Sequence, residues 1–152
     1  MKCARRAAFT LIEVLIVVVI MAILAGAIIP HMSDTNKDAK EALLRDHLRT
    51  MRAQIELYKV HHFGTPPGNA RTQLTGATDA YGNISPTGLA DANYPYGPYL
   101  KDVPAQPFSG STNMRLVTGT NTPTPVNSPG VGWIYQATTG RLWVDHSGYF
   151  SY

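Results

Sequence analysis

The sequence predicts an α+β fold in which a long N-terminal helix packs against a small antiparallel sheet of three strands. Three observations predict it: a helical pattern that extends to residue 62, a concentration of turn residues after it, and a hairpin pattern near the C-terminus. All but one of the 13 glycines and all but one of the 11 prolines follow residue 62. Because glycine and proline interrupt helices, their distribution separates a helical part, residues 9–62, from a part rich in loops and strands, residues 63–152.

The first element is the apolar segment of residues 9–30, FTLIEVLIVVVIMAILAGAIIP. A helix over this segment is about 30 Å long, which matches the hydrocarbon core of a bilayer, so we expect one membrane pass. Lys2, Arg5 and Arg6 precede it in a short leader, residues 1–8. Positive charge of this kind predicts a cytoplasmic N-terminus and an exported C-terminal part.

Glu13 is the one charged residue in the apolar segment. A carboxylate inside an apolar helix costs about 2.5–3.5 kcal/mol at the bilayer centre, and such residues usually have a partner and a function. A secretory signal peptide would be cut after Ala25-Gly26-Ala27, but its apolar region needs only about 7–15 residues and a charge there is unfavourable. A plain membrane anchor fits the length of the segment and gives Glu13 no role.

A third interpretation accounts for Glu13. The residues Ala8-Phe9-Thr10-Leu11-Ile12-Glu13, followed by the apolar helix and Pro30, closely resemble the processing motif of type IV pilins and type II secretion pseudopilins. The resemblance implies that a membrane prepilin peptidase cuts between Ala8 and Phe9 and methylates the new Phe9 amine. It also implies that Glu13 pairs with the Phe9 amine of a neighbouring subunit, and an ionised group in an apolar core needs such a partner. The family usually has Gly where this chain has Ala8, so we expect slower processing at worst.

Residues 31–62 are expected to continue the helix as an amphipathic second half. Pro30 lacks an N–H group and clashes with the carbonyl of Gly26, so we expect a kink or local unwinding there. Apolar residues then recur at helical spacing and form one stripe: Leu44, Leu48, Met51, Ile55, Tyr58 and His62. No second long helix follows, so this stripe is expected to pack against the later part of the chain. Gly64 and Pro66 end the helix.

Residues 63–152 are expected to form the exported globular domain. Residues 63–112 predict a long irregular connection with one helical turn near Arg71–Leu74 and another near Thr87–Ala92. Strand patterns follow at Met114–Thr118, Trp133–Ala137 and Arg141–Asp145. Between the last two, Thr138-Thr139-Gly140 predicts a hairpin loop with Gly where a left-handed residue is needed. With the resemblance, these elements predict the pilin-type α+β fold.

The sequence does not predict an enzyme. Asp145-His146-Ser147 contains the residue types of a catalytic triad, but consecutive residues cannot converge on one another as a triad requires. His61 and His62 point about 100° apart on a helix and have no acidic or cysteine ligand at a suitable spacing. The resemblance also implies a calcium ion in the C-terminal loop, but Asp145 is the one carboxylate offered there, which argues against it. We expect no other cofactor and no metal.

Charge and cysteine content bear on the partners. Lys2, Arg5 and Arg6 account for the excess of the 13 basic over the 10 acidic residues, so the side chains of the processed chain sum to zero. Zero net charge favours self-association, and no basic patch for nucleic acid remains. The single cysteine, Cys3, lies in the leader. Many type IV pilins carry a C-terminal cysteine pair and major pseudopilins typically do not, and Gly97–Pro104 also resembles a loop of major pseudopilins.

The resemblance predicts a structural subunit of a type II secretion pseudopilus, a filament assembled from the bacterial inner membrane that helps to export folded proteins. The alternative is a type IV pilus subunit for adhesion, motility or DNA uptake. The predicted partners are copies of the same chain, contacted through residues 9–30, the prepilin peptidase, other pseudopilins and the inner-membrane assembly platform. Before assembly we expect a single-pass membrane protein with a cytoplasmic N-terminus and a periplasmic C-terminal domain.

Overall fold

The structure, a computed structural model, describes the backbone of residues 9–152 and the side chains of residues 9–25 and 36–152. Its elements, in chain order, are α1 (Leu11–His61), α2 (Ala70–Thr75), β1 (Met114–Val117), β2 (Trp133–Gln136) and β3 (Arg141–Val144). The predicted α+β class and the order of the elements are confirmed. The chain divides into two compact units, Met1–Ala39 and Lys40–Tyr152.

The sheet has the strand order β1-β2-β3 and is mixed, so the prediction of three antiparallel strands is wrong for β1. β1 pairs with β2 in parallel, with Met114 opposite Trp133. β2 and β3 form the predicted antiparallel hairpin, with Trp133 opposite Val144. Parallel neighbours need a crossover of about a dozen residues or more. The Thr-, Pro- and Asn-rich residues 118–132 provide that crossover and return the chain to the same end of the sheet.

The hairpin loop contains the left-handed glycine that the sequence predicts. Residues 137–140 form the turn, and the N–H of Gly140 donates to the carbonyl of Gln136 at 2.8 Å. Gly140 has a φ of +73°. A Cβ atom at this position would also lie only 2.8 Å from the Lys59 side chain. Glycine is therefore required here by the backbone conformation, whereas the end of the flexible Lys59 side chain could move aside.

The core of the unit Lys40–Tyr152 is built on one face of α1. Every residue of the predicted stripe is at most 3% exposed: Leu44, Leu48, Met51, Ile55, Tyr58 and His62. The apolar members of the stripe form one cluster with Leu74 of α2, Trp133 and Tyr135 of β2, and Leu142 of β3. The prediction that this stripe packs against the later part of the chain is confirmed.

The connection from α1 to β1 contains one of the two predicted helical turns. The first is present as α2, and the Asn69 side chain caps it by accepting from the N–H of Thr72. The second prediction, at Thr87–Ala92, is wrong, because these residues form turns and bends. Asp91 lies within this range, and its carboxylate accepts the N–H groups of Asn93 and Tyr94 at 2.7 and 3.0 Å. Such local side-chain bonds compete with helix formation.

The C-terminal residues return to α1. Arg52 donates to the carbonyl of Leu142 at 2.9 Å and to the main-chain oxygen of Tyr152 at 2.7 Å. Nearer the N-terminus of α1, Glu41 provides a second contact. The hydroxyls of Tyr149 and Tyr152 donate to its two carboxylate oxygens at 3.2 and 3.1 Å. These contacts attach the end of the described chain to α1 at two separate positions.

Candidate functional site

The residues of the predicted processing and assembly site lie at the beginning of α1. Phe9 precedes the helix, which begins at Leu11, and Glu13 belongs to its first turn. Phe9 is 81% exposed, and Glu13 is exposed as well. Ala8, the other residue of the predicted cleavage site, lies outside the described residues. The cleavage, methylation and pairing roles of these residues stay predictions.

Thr10 and Glu13 form a reciprocal hydrogen-bonded cap at the N-terminus of α1. The N–H of Thr10 donates to Glu13 Oε2 at 3.1 Å, and the Thr10 hydroxyl donates to the same oxygen at 2.9 Å. In the other direction, the N–H of Glu13 lies 3.4 Å from Thr10 Oγ1. This is the geometry of a capping box, in which Thr at the N-cap and Glu three residues later satisfy each other's backbone donors.

The capping box gives Glu13 a role within its own chain that the sequence analysis missed. The pattern Thr10-x-x-Glu13 is the signature of a capping box and could have predicted it. A carboxylate in the first helical turn also interacts favourably with the positive end of the helix dipole. Both bonds to the carboxylate use Oε2, and among the described residues none donates to Oε1. The cap therefore orients Glu13 and leaves one carboxylate oxygen for a further donor.

The described part of the apolar segment around Glu13, residues 9–25, is exposed on all sides. Its large apolar side chains between Phe9 and Leu24 range from 48% exposed, at Val17, to 85% exposed, at Leu11. A helix that is apolar all round is normally buried in a larger core or in a membrane. Exposed apolar surface of this extent indicates a surface that contacts other molecules.

Two further predictions concern the region around Pro30. The backbone of α1 is helical without interruption between Gly26 and Pro30. The side chains of residues 26–35, and with them the end of the predicted membrane segment 9–30, lie outside the described residues. The kink at Gly26 and Pro30 therefore stays a prediction. In the part of the chain that the structure describes, no helix is long and apolar enough to cross a membrane.

His61 and His62 both lie within hydrogen-bonding distance of residues of the connection that follows α1. His62 is buried and stacks on Tyr58 with 3.7 Å between ring centroids. Its Nδ1 lies 2.7 Å from the Tyr58 carbonyl, and its Nε2 lies 3.0 Å from the Thr78 hydroxyl. His61 Nδ1 lies 2.9 Å from the Tyr99 hydroxyl. Both histidines thus attach the irregular connection to the end of α1.

Asp145, His146 and Ser147 do not form a catalytic arrangement. The Asp145 carboxylate accepts hydrogen bonds from main-chain N–H groups of residues 126–128. The ring of His146 packs near Phe108 and Tyr149. The Ser147 hydroxyl accepts from Asn127 Nδ2 at 3.3 Å, so the hydrogen bonds of Asp145 and Ser147 go to residues 126–128 and not to His146.

Comparisons with known proteins agree with the position of this site. Residues 3–29 match a family model described as the prokaryotic N-terminal methylation motif. The chain is 28% identical to the type II secretion system core protein G of Pseudomonas aeruginosa, over 86% of this chain and 87% of that protein. It is 27% identical to the core protein G of Klebsiella pneumoniae, over 76% and 77% of the two chains. No solved structure gives a significant match.

These findings confirm the predicted resemblance to the prepilin-type motif and to type II secretion pseudopilins. The motif is confined to the N-terminal segment and is also found in pilins. The similarity to the Pseudomonas aeruginosa core protein G extends over 86% of this chain, and it therefore includes most of the unit Lys40–Tyr152.

Proposed function

We propose that this chain is the precursor of a structural subunit of a type II secretion pseudopilus, a filament assembled from the bacterial inner membrane that helps to export folded proteins. The observation that supports this most is the similarity to core protein G over 86% of the chain, in addition to the methylation motif at residues 3–29. The motif alone also fits a type IV pilus subunit, which is the second candidate.

In this proposal, a prepilin peptidase cuts between Ala8 and Phe9 and methylates the new amine. Cleavage removes the leader with Lys2, Arg5 and Arg6, and it converts the uncharged Phe9 amide nitrogen into a positively charged amine. The local charge therefore changes from three basic side chains ahead of the helix to a single cation beside Glu13. That cation is the only partner for Glu13 that processing itself creates.

Assembly then pairs Glu13 with the Phe9 amine of a neighbouring subunit. Phe9 is exposed, and Glu13 Oε1 accepts no hydrogen bond from the described residues, which supports this pairing because the cap through Oε2 need not break. The apolar segment around them would supply the contact between subunits. A repeated contact between two different surfaces, which does not close into a ring, produces an open filament.

The motif and the relatives indicate anchoring in the inner membrane, and the proposal adds a topology. The leader lies in the cytoplasm, residues 9–30 cross the membrane once before assembly, and the unit Lys40–Tyr152 lies in the periplasm. The partners are copies of the same chain, other pseudopilins and the inner-membrane assembly platform. The subunit acts as a polymer component, without a catalytic role or a nucleic-acid partner.

Mass spectrometry of the protein from its native cells tests this proposal directly. We expect the processed chain to begin at methylated Phe9. A chain that begins at Ile28 would indicate cleavage after Ala27 by a signal peptidase, and an intact Met1 would indicate a plain membrane anchor. Either result would contradict a filament subunit. To separate pseudopilus from pilus, deletion of the gene should abolish secretion of folded proteins and leave surface pili unchanged.

A further inference from the structure

The crossover between β1 and β2 contains a loop, residues 121–130, that binds a buried carboxylate. The N–H groups of Val126 and Asn127 donate to Asp145 Oδ1 at 2.8 and 3.2 Å. The N–H of Ser128 donates to Oδ2 at 3.2 Å. Asn127 has a φ of +49°. Successive N–H groups around a left-handed residue form an anion-binding nest, and here the anion is Asp145.

Arg115 brings a positive charge to the same place. The Asp145 side chain is completely buried, and Arg115 Nη2 lies 3.8 Å from its Oδ1. The same Nη2 donates to the carbonyl of Thr124 at 2.9 Å, so Arg115 also holds the 121–130 loop. Arg115 Nε is buried without a hydrogen-bond partner in the described part of the chain. Arg115 therefore stays beside Asp145 although one of its N–H donors is unsatisfied, whereas an arginine in solvent would bind water with all of them.

These surroundings do not fit the calcium ion that the family resemblance implies. Calcium is held by about six to eight oxygen ligands, which come from carboxylates, carbonyl groups and waters. Around Asp145, the structure places three N–H donors, which carry partial positive charge, and the positively charged guanidinium of Arg115. Among the described residues, no group of three or more His, Cys, Asp or Glu side chains is placed to hold a metal. The donor set is that of an anion site, and the chain supplies its own anion.

We propose that Asp145 and Arg115 form an internal latch that holds the 121–130 loop on the sheet without a divalent cation. Asp145 binds the nest of the loop, and Arg115 compensates the buried carboxylate and binds Thr124. The latch does not depend on the proposed function, because it concerns only the metal requirement of the unit Lys40–Tyr152. A result that contradicts the latch would therefore leave the proposed function unchanged, and the reverse also holds.

Hydrogen exchange and thermal unfolding of the detergent-solubilised full chain test the latch. In EDTA and in millimolar CaCl₂ we expect equal protection of the Val126, Asn127 and Ser128 amides. The melting temperature should differ by less than about 1 °C between the two conditions, since a cation that does not bind cannot stabilise the fold. A rise of several degrees with CaCl₂ that Asp145→Asn abolishes would overturn the proposal, because it would place calcium on this carboxylate.

Asp145→Asn tests the carboxylate itself. Asparagine keeps one carbonyl oxygen that can accept from Val126 and Asn127, but it loses the negative charge and turns an N–H group towards the N–H of Ser128. The protection of the Ser128 amide should therefore fall by about tenfold or more, and that of the Val126 and Asn127 amides by less, while the amides of β2 and β3 stay protected. CaCl₂ should not restore that protection. Asp46→Asn, at an exposed position on α1, is the matched control and should change nothing.

Arg115→Gln keeps the nest and its carboxylate, and removes the positive charge. It provides the readout if Asp145→Asn fails to fold. We expect a smaller but measurable loss of protection at the same three amides, again independent of CaCl₂. Unchanged protection in either folded variant would show that the latch does not hold the loop, and recovery in CaCl₂ would show that a cation does.

Discussion

The two halves of α1 are both helical, but they differ in where their apolar side chains lie. All side chains from Phe9 to Ala25 are exposed, whereas the stripe from Leu44 to Tyr58 is at most 2% exposed. The second half is covered by α2, the sheet and the connecting loops of its own chain. The first half has no such cover among the described residues. Folding of the unit Lys40–Tyr152 and burial of the N-terminal segment are therefore separate requirements.

The largest effect should come from the charge at the start of the exposed half. In the proposed filament, Glu13→Val would leave the Phe9 amine of a neighbouring subunit without its partner in an apolar core. Removing one member of a buried ion pair costs about 3–5 kcal/mol, so filament yield should fall sharply while membrane insertion persists. Sedimentation of sheared filaments measures the yield.

Thr10→Val is the control that separates pairing from capping. It removes the Thr10 hydroxyl and with it half of the capping box, which costs about 0.5–2 kcal/mol of helix stability, but it keeps the Glu13 carboxylate. Filament yield should fall much less than in Glu13→Val. Equal losses in the two variants would indicate that Glu13 acts only as a cap, and an unchanged yield in Glu13→Val would contradict the pairing.

A leucine in each half provides a second test of the comparison. Leu48 is 2% exposed in the core, and Leu48→Ala should lower the free energy of unfolding by about 2–5 kcal/mol through lost burial and a cavity. Leu15 is 55% exposed, and Leu15→Ala should leave the unfolding of the C-terminal unit unchanged. Denaturant titration followed by tryptophan fluorescence in detergent measures both. A large loss in Leu15→Ala would show that the two halves are energetically coupled.

The smallest expected effect is a loss of folding stability at alkaline pH, and it concerns only Tyr58 and the buried half of α1. Burial raises the pKa of Tyr58 from 10.0 to about 12, with smaller contributions from Tyr99 and Asp79. Because the unfolded chain loses this proton at lower pH than the folded chain, the stability is complete below pH 10 and declines as the pH rises towards 12. Tyr58→Phe should make that decline shallower in urea titrations across this range.

Tyr81→Phe, which removes an exposed hydroxyl, serves as the matched control for Tyr58→Phe. Some decline should remain in Tyr58→Phe, because burial also raises the pKa of Tyr135. An identical pH dependence in Tyr58→Phe and the unmodified protein would contradict the assignment of the effect to Tyr58.

The sequence predicted the elements whose pattern is local. The stripe on α1 repeats at helical spacing, and the hairpin at Gly140 needs only a left-handed residue between two short strands, so both were readable from residue types. The direction of β1 could not be predicted from residue types, because it depends on how residues 118–132 cross the sheet. The nest around Asp145 could not be predicted either, because its donors are main-chain N–H groups that are distant from Asp145 in sequence. The capping box is local as well, and the pattern Thr10-x-x-Glu13 is sufficient to predict it.

The contacts between the C-terminal residues and α1 have a mechanical consequence. Arg52 binds the main chain of Leu142 and Tyr152, and Glu41 binds the hydroxyls of Tyr149 and Tyr152. A load applied along the axis of α1 is therefore shared between two attachment points, Glu41 and Arg52, which lie at separate positions on the helix. Release of either contact would leave the C-terminal residues attached to α1 through the other.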